Sequence, residues 1–328
     1  MQRTVVFTFL LISFGSGAGC ATAEGDENRK LEDRTAAEAG LVRREYARSV
    51  MGGAGRITLF ATDEDSALAA AKGAFDLLEA IENALSDYRP ASELMQVNRA
   101  AGGPPVVVGD HLLSALAAAR ALAEATDGRF DPTVGPVVAL WRRARREGRL
   151  PAPEETRSAT SLVDWRDLRL DGEDRTAMLL RPGMALDLGG FGKGYAAHEA
   201  VKFLAAQGIP RALVGLGGDY AAGDPPPGTD GWKIGFADGA PPILLSNACV
   251  STSGADEQFV EIDGRRYSHI VDPRTGVGLA PGPRFTVLAG EGGTADGLAT
   301  AASVAGEASA REWIRRFHGV RMWVDGRE

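Results

Sequence analysis

Apolar residues recur at helical spacing in several stretches of the chain. Across residues 66–85 they fall at Leu68, Ala71, Phe75, Leu78, Ile81 and Leu85, a repeat of three or four that lines one helical face and predicts a helix. The Ala- and Leu-rich segment 110–126 predicts a second, with Asp110 as its cap and Gly128 closing it. Further helices are expected over 137–146, over 193–207 with Gly208 as its stop, and over 294–304 and 308–318. Pro151 and Pro153 break the pattern after the third helix, so a loop or short helix follows.

Between these segments the pattern changes to short apolar runs bounded by turn residues, which is strand character. Residues 51–60 read as a Gly-rich bend leading into a strand. Residues 178–188 read as extended apart from a turn at Pro182-Gly183, and strands are expected at 212–216, 232–236, 285–289 and 320–324. Two runs, 259–262 and 267–271, flank Asp263-Gly264, a hairpin signal. No internal repeat or interior linker appears. The expectation is one mixed α+β domain over 44–328, with antiparallel-rich sheets and flanking helices.

The N-terminal pattern differs. Arg3 precedes the apolar stretch 4–14, which is too short to span a bilayer. Small residues then lead to Cys20 in Gly17-Ala-Gly-Cys20. This is similar to a bacterial lipoprotein signal, with Cys20 the lipidated residue, although Gly17 stands where Leu is usual. A plain secretory signal is the alternative. Residues 21–43 are polar, charged and without apolar periodicity, so they read as a tether, with order beginning near Tyr46.

Composition adds limits. With 36 Lys and Arg against 44 Asp and Glu the net charge is -8, and no basic run is long enough to suggest a nucleic-acid partner. The only cysteines are Cys20 and Cys249. If Cys20 carries lipid no internal disulfide can form, and Cys249, in an apolar run, reads as a small core residue.

Five clusters could carry chemistry. Leu186-Asp-Leu-Gly-Gly-Phe-Gly-Lys-Gly-Tyr195 crowds glycines around Lys193. It is not a Walker-type phosphate loop, because Gly194 replaces the Ser or Thr that would hold Mg²⁺. Its glycines still allow close backbone approach to a ligand, Lys193 brings a cation to a helix N-terminus, and Asp187 could accept a hydrogen bond or balance the lysine. In Ser268-His-Ile-Val-Asp-Pro-Arg-Thr-Gly276 a strand delivers His269 to a tight turn, as a base or phosphate ligand beside Arg274 and Thr275. Asp296 and Thr300 are four apart, so a helix puts both on one face and offers two hard oxygen ligands suited to Mg²⁺. Tyr88, after a helix end, could stack on a planar ring, and Ser92-Glu93 opens a short helix. The fifth, Thr126-Asp-Gly-Arg-Phe-Asp-Pro-Thr-Val-Gly-Pro136, is a loop dense in turn formers. Each cluster alone has an ordinary structural explanation.

Their order along the chain is more specific. Met51-Gly52, Leu85-Ser-Asp-Tyr88, Phe130-Asp-Pro-Thr133, Leu186-Asp-Leu-Gly-Gly190, Lys193-Gly-Tyr195, Leu213-Val-Gly-Leu-Gly-Gly-Asp219, Val250-Ser-Thr-Ser-Gly254, Tyr267-Ser-His-Ile-Val-Asp-Pro-Arg-Thr-Gly276 and Ala295-Asp-Gly-Leu-Ala-Thr300 together resemble the ApbE family of FAD:protein FMN transferases. The resemblance implies a fold of that family's T-fold-like type. It also implies a Mg²⁺-dependent reaction with FAD as substrate, in which FMN passes to a Thr or Ser of an exported flavoprotein and AMP leaves. Residue by residue, it implies Asp296, Thr300 and a backbone carbonyl at Gly190 as metal ligands, and Met51 and Tyr88 at the flavin. Arg129, Phe130, Asp131, Asp187 and Lys193 would be FAD contacts, with Ser253 and Thr275 near the phosphates. His269 would lie at the pyrophosphate as acid–base residue, a role Asp296 could share. A FAD pyrophosphatase or a non-catalytic FAD carrier of the cell envelope are the competing expectations. The chain departs from the family pattern at Gly53, Gly192, His198 and Gly297, and the first and last put the rigidity of the metal site in question.

Overall fold

The computed structural model describes residues 40–236, 239–254 and 259–328. Cys20 and the signal-like segment lie outside them. Strands β1 (Val42–Val50) and β2 (Gly53–Ala61) form a hairpin, followed by helix α1 (Glu64–Leu85) and the short helix α2 (Glu93–Arg99). Then come β3 (Val106–Val107), α3 (Asp110–Ala125), α4 (Gly135–Glu147) and α5 (Pro153–Thr160), then β4 (Leu168–Asp171), β5 (Thr176–Leu179) and α6 (Gly192–Ala206). The second half runs β6 (Ala212–Leu216), β7 (Asp219–Ala222), β8 (Trp232–Ile234), β9 (Ile243–Leu245), β10 (Ala248–Gly254), β11 (Phe259–Ile262), β12 (Arg265–Ser268), β13 (Arg284–Ala289), α7 (Gly292–Ala305), α8 (Glu307–Trp313) and β14 (Arg321–Val324).

The main sheet has seven strands in the order β1-β2-β6-β7-β10-β13-β14, and every neighbouring pair is antiparallel. This is the mixed α+β domain the pattern predicted. The main core lies between that sheet and α1, α3, α6 and α7, with Ile57, Leu59, Leu78, Val214, Val287 and Leu298 all fully buried. A second apolar cluster, Leu213, Trp232, Ile234, Leu245 and Val250, covers the other face. Alternation explains the split: in β10 Cys249 joins the main core while Val250 joins the second.

Several expectations need correction. Strand β1 was not foreseen; it begins at Val42, two residues inside the segment read as tether and ahead of Tyr46. It is an edge strand paired only with β2 and most of its side chains stay exposed, so it carries charges instead of apolar periodicity. Its arginines are nonetheless used: Arg48 reaches Asp76 and Glu79 on α1. Asp110 is the first residue of α3 and not its cap; Gly109 holds that position without a side-chain bond, and Asp110 pairs with Arg175 at 2.8 Å. The hairpin arms are 259–262 and 265–268, not 267–271. A two-residue turn with positive φ at Asp263 and Gly264 fixes the register at Ile262 opposite Arg265. His269 therefore follows the strand, in a bend where Ser268 Oγ accepts the Ile270 N–H at 3.1 Å. The segment 185–188 is irregular backbone and not a continuation of β5, so Asp187 does not end a strand.

Candidate active site

Helices α6 and α7 begin side by side, and glycine decides how closely. A methyl on Gly194 would overlap the Gly292 carbonyl and stand 2.8 Å from Asp296 Cβ. Without it the two helix starts meet backbone to backbone, and the Gly194 N–H donates to Asp296 Oδ2 at 3.1 Å. One turn along α7, Thr300 Oγ1 lies 2.6 Å from the point a side chain on Gly190 would occupy. The glycine bend, the buried Asp296 carboxylate and the Thr300 hydroxyl are thus brought together.

The electrostatics of this corner are unbalanced. Burial first, and then the Asp219 carboxylate, push Asp296 up to about 8, against the pull of Lys193 and the Gly194 N–H. Lys193 is committed to Asp219, with Nζ 2.5 Å from Oδ2. Among the described residues no group of three His, Cys, Asp or Glu side chains is placed to hold a metal. A cation here would rely on one carboxylate, one hydroxyl and main-chain oxygen. That set is hard and oxygen-only, which fits Mg²⁺.

Met51 and Tyr88 lie on neighbouring segments, the Tyr88 hydroxyl 3.7 Å from the position of a side chain on Gly52. Met51 stands in the two-residue β1–β2 turn with φ 53°, and its Cε is 3.9 Å from the position of a side chain on Gly192. Tyr88 is more than half exposed, at 56%, yet its hydroxyl donates to the buried Glu82 carboxylate. Glu82 is also held by Arg89 at 2.7 Å. Burial and the Glu82 charge push the phenol up to about 12. The Tyr88 loop is further pinned by Ser86 Oγ, which accepts the Tyr88 and Arg89 N–H groups at 3.2 and 3.0 Å. A ring so anchored at its tip and open on its face suits stacking.

Asp187 is buried where three segments meet. Its N–H donates to Pro132 O at 2.9 Å, and its Oδ1 accepts the Gly189 N–H at 2.8 Å. Arg142 of α4 lies 3.3 Å from Oδ2 and also binds Asp87, the residue before Tyr88. Burial, then the charge of Asp87, push Asp187 up to about 7, while Arg142 pulls it down.

The remaining candidates divide. Phe130 is buried in the core, 6.0 Å ring to ring from Phe191, so any ligand contact there would come from backbone. Asp131 is consumed internally, accepting from Thr133 N and Oγ1 at 2.8 and 2.6 Å and from Trp165 N at 3.1 Å. It still borders a cavity of about 260 Å³ together with Asp127, Thr160, Trp165, Pro273 and Arg274, which brings the 126–136 loop to face the turn after His269. Arg129 points elsewhere, into a cavity shared with Ser309, Glu312, Trp313 and Arg316. His269 and Thr275 are exposed, on a hairpin tied to α4 by Trp141 Nε1, which donates to Gly276 O at 2.8 Å. Ser253 accepts from Ser303, one turn beyond Thr300 on α7, at 3.2 Å.

Two departures from the family pattern prove to be packing solutions. Leu122 of α3 occupies the space where a side chain on Gly297 would stand, so glycine keeps α7 close to α3 instead of loosening it. His198 Nδ1 lies 3.0 Å from Glu291, clipping α6 to the residue before α7. Gly53 and Gly192 meet no crowding that would require glycine. Residues that carry charge in the site but were not singled out are Glu82, Asp87, Arg142 and Asp219. Asp219 closes the quoted Leu213–Asp219 motif and Asp87 sits beside Tyr88, so both were within reach. Arg142 opens a run of arginines on a helix, a pattern that reads as solvated surface.

Residues 51–324 match the model of the ApbE family. A FAD:protein FMN transferase of Treponema pallidum is 35% identical over 301 residues, covering 84% of this chain and 83% of that protein. Among solved structures, the apo flavinyl transferase ApbE of Pseudomonas stutzeri is 26% identical, with a TM-score of 0.76 over 87% of this chain and 91% of that one. The ApbE protein of Thermotoga maritima is 29% identical, with a TM-score of 0.78 over 86% and 94%.

Proposed function

Since the chain belongs to the ApbE family, we propose that it is a transferase that moves FMN from FAD to a Thr or Ser hydroxyl of an exported flavoprotein. In the reaction the hydroxyl oxygen bonds to the FMN phosphorus, the bond to the AMP phosphate breaks, the hydroxyl proton passes to a base and AMP leaves. The observation that carries the reading is the meeting of Gly190, Asp296 and Thr300 beside the Lys193–Asp219 pair. A bound Mg²⁺ would offset charge on the phosphoryl oxygens.

The chain's own groups take the other roles. Asp296, Thr300 and the Gly190 carbonyl would hold the ion. The N-termini of α6 and α7 both point positive dipole ends at this corner, and Lys193 adds a charge that favours a pyrophosphate. Tyr88 and Met51 offer the surface for the isoalloxazine ring, and His269, exposed on its loop, serves as the base. Incubation with FAD, Mg²⁺ and an acceptor protein should give a flavinylated acceptor and equimolar AMP, read by mass spectrometry. AMP with free FMN and an unmodified acceptor would favour a FAD pyrophosphatase instead. Bound FAD with no AMP would leave only a flavin carrier.

We also propose export and lipid anchoring through Cys20, supported by the apolar stretch and small residues before it. Among the described residues no helix is long and apolar enough to cross a membrane. Mass spectrometry of the mature protein should find a diacylated Cys20, and an unmodified residue there would sink the proposal.

A further inference from the structure

We propose that Arg142 is a positioning residue for FAD: its guanidinium bridges Asp87 and Asp187 and so clamps the Tyr88 loop to the glycine bend. The proposal rests on the flavin-transferase reading, because it assigns Tyr88 to the flavin ring and the bend to the pyrophosphate of one ligand.

The geometry comes from three directions. Asp87 leaves the loop between α1 and α2, immediately before the Tyr88 ring. Asp187 opens the segment that runs through Gly189 and Gly190 to Lys193. Arg142 arrives from α4 and lies within ion-pair distance of both carboxylates. Its own base is fixed. The Gly135 N–H, at the start of α4, donates to Ala185 O at 3.1 Å, two residues before Asp187. The neighbouring Trp141 is held by Gly276, and its ring packs tilted against Tyr267 with centroids 5.1 Å apart. Helix α4 thus connects the loop bearing His269 to the glycine bend, and Arg142 extends that connection to Tyr88.

The chemistry selects arginine. Two carboxylates that face each other repel, and both are largely withdrawn from water, with side chains 15% and 8% exposed. A planar fork can donate to both at once, whereas a lysine ammonium is a single point. The Arg142 side chain is half exposed, at 46%, so the clamp stands at the rim of the site and not in the core. The charged groups that face Asp187 are Asp87 from the α1–α2 loop and Arg142 from α4, with the Gly189 N–H from the bend itself.

The test uses the full chain with Arg142→Met and Arg142→Lys. FAD affinity is read by flavin fluorescence across pH 5–9 with Mg²⁺ present, and AMP release at saturating FAD is read alongside. The expected result for Arg142→Met is FAD binding weakened about tenfold, the scale of one lost charge-assisted interaction, with turnover at saturation changed less than about threefold. The pH midpoint of binding should move upward, because Asp187 loses the cation that lowers its proton affinity. Arg142→Lys should recover the midpoint in part but not the affinity. Should Arg142→Met fail to fold, Asp87→Asn provides the second variant, and there the midpoint should move downward. Unchanged affinity and an unchanged midpoint in a wild-type background that binds FAD would overturn the clamp. Wild type that binds FAD but transfers nothing would overturn the transferase reading while leaving the clamp measurable, and wild type that binds no FAD would overturn both.

Discussion

Replacing Gly194 with alanine tests the helix crossing on which the site depends. The added methyl would meet the Gly292 carbonyl and stand 2.8 Å from Asp296 Cβ. Neither neighbour can rotate away, since one is main chain and the other the root of a short side chain. Relief must come from α6 and α7 moving apart. Overpacking of this kind costs about 1–3 kcal/mol, and the rigid neighbours place it at the upper end. The separation also lengthens the 3.1 Å bond from the Gly194 N–H to Asp296, a loss of about 1 kcal/mol. A total near 3–4 kcal/mol corresponds to a fall in Tm of roughly 6–15 °C for a domain of this size. Differential scanning calorimetry with EDTA measures it directly, and repetition with Mg²⁺ asks whether the ligands still meet: wild type should gain several degrees and the variant little. Gly172→Ala is the control, since that residue has open space around it and no positive φ, and its Tm should hold or rise slightly. A Gly194→Ala protein within about 1 °C of wild type, with its Mg²⁺ response intact, would mean the close crossing is not what assembles the site.

Three further outcomes follow from the same geometry. Asp296→Asn should abolish Mg²⁺-dependent AMP release while leaving the metal-free protein as stable as wild type at neutral pH or more so. With its pKa raised from 3.8 to about 8 in the folded state, Asp296 makes metal-free wild type lose stability as pH rises between those values, and calorimetry in EDTA should find that the asparagine variant lacks this decline. Tyr88→Phe should keep FAD affinity within a few-fold and Tyr88→Ala should weaken it by ten- to a hundredfold, the scale of one aromatic stacking contact; equal losses in a titration would assign the role to the hydroxyl and its bond to Glu82. Cys249 is buried and its thiol pushed up to about 12, chiefly by burial, so Ellman's reagent at pH 8 should find it unreactive until the protein unfolds.

Sequence by itself determined the local elements and the chemistry they carry. Periodicity located α1, α6 and α7 to within two residues, because their buried faces repeat at the helical spacing. It also put Asp296 and Thr300 on one face of α7, which four-residue spacing alone requires. Turn chemistry identified the hairpin at Asp263-Gly264. Where the physical signal was weak the reading failed: β1 is an edge strand with little to bury, and the irregular course of 185–188 depends on partners such as Pro132 and Asn98 that lie far away in the chain.

Tertiary structure alone decided which candidates meet. Gly194 looked like a missing hydroxyl ligand, and Gly297 like a weak point in a helix. Each is glycine because another element needs the volume, Gly292 in the first case and Leu122 in the second. Phe130 and Asp131 belong to a ligand-like motif, yet their side chains serve the core and the Thr133–Trp165 turn. Arg142 and Asp219 acquire importance only through carboxylates and amines brought to them from elsewhere. Periodicity and spacing are properties of neighbours along the chain, whereas excluded volume and charge pairing depend on distance in space, and that distance is set only once the helices have packed on the sheet.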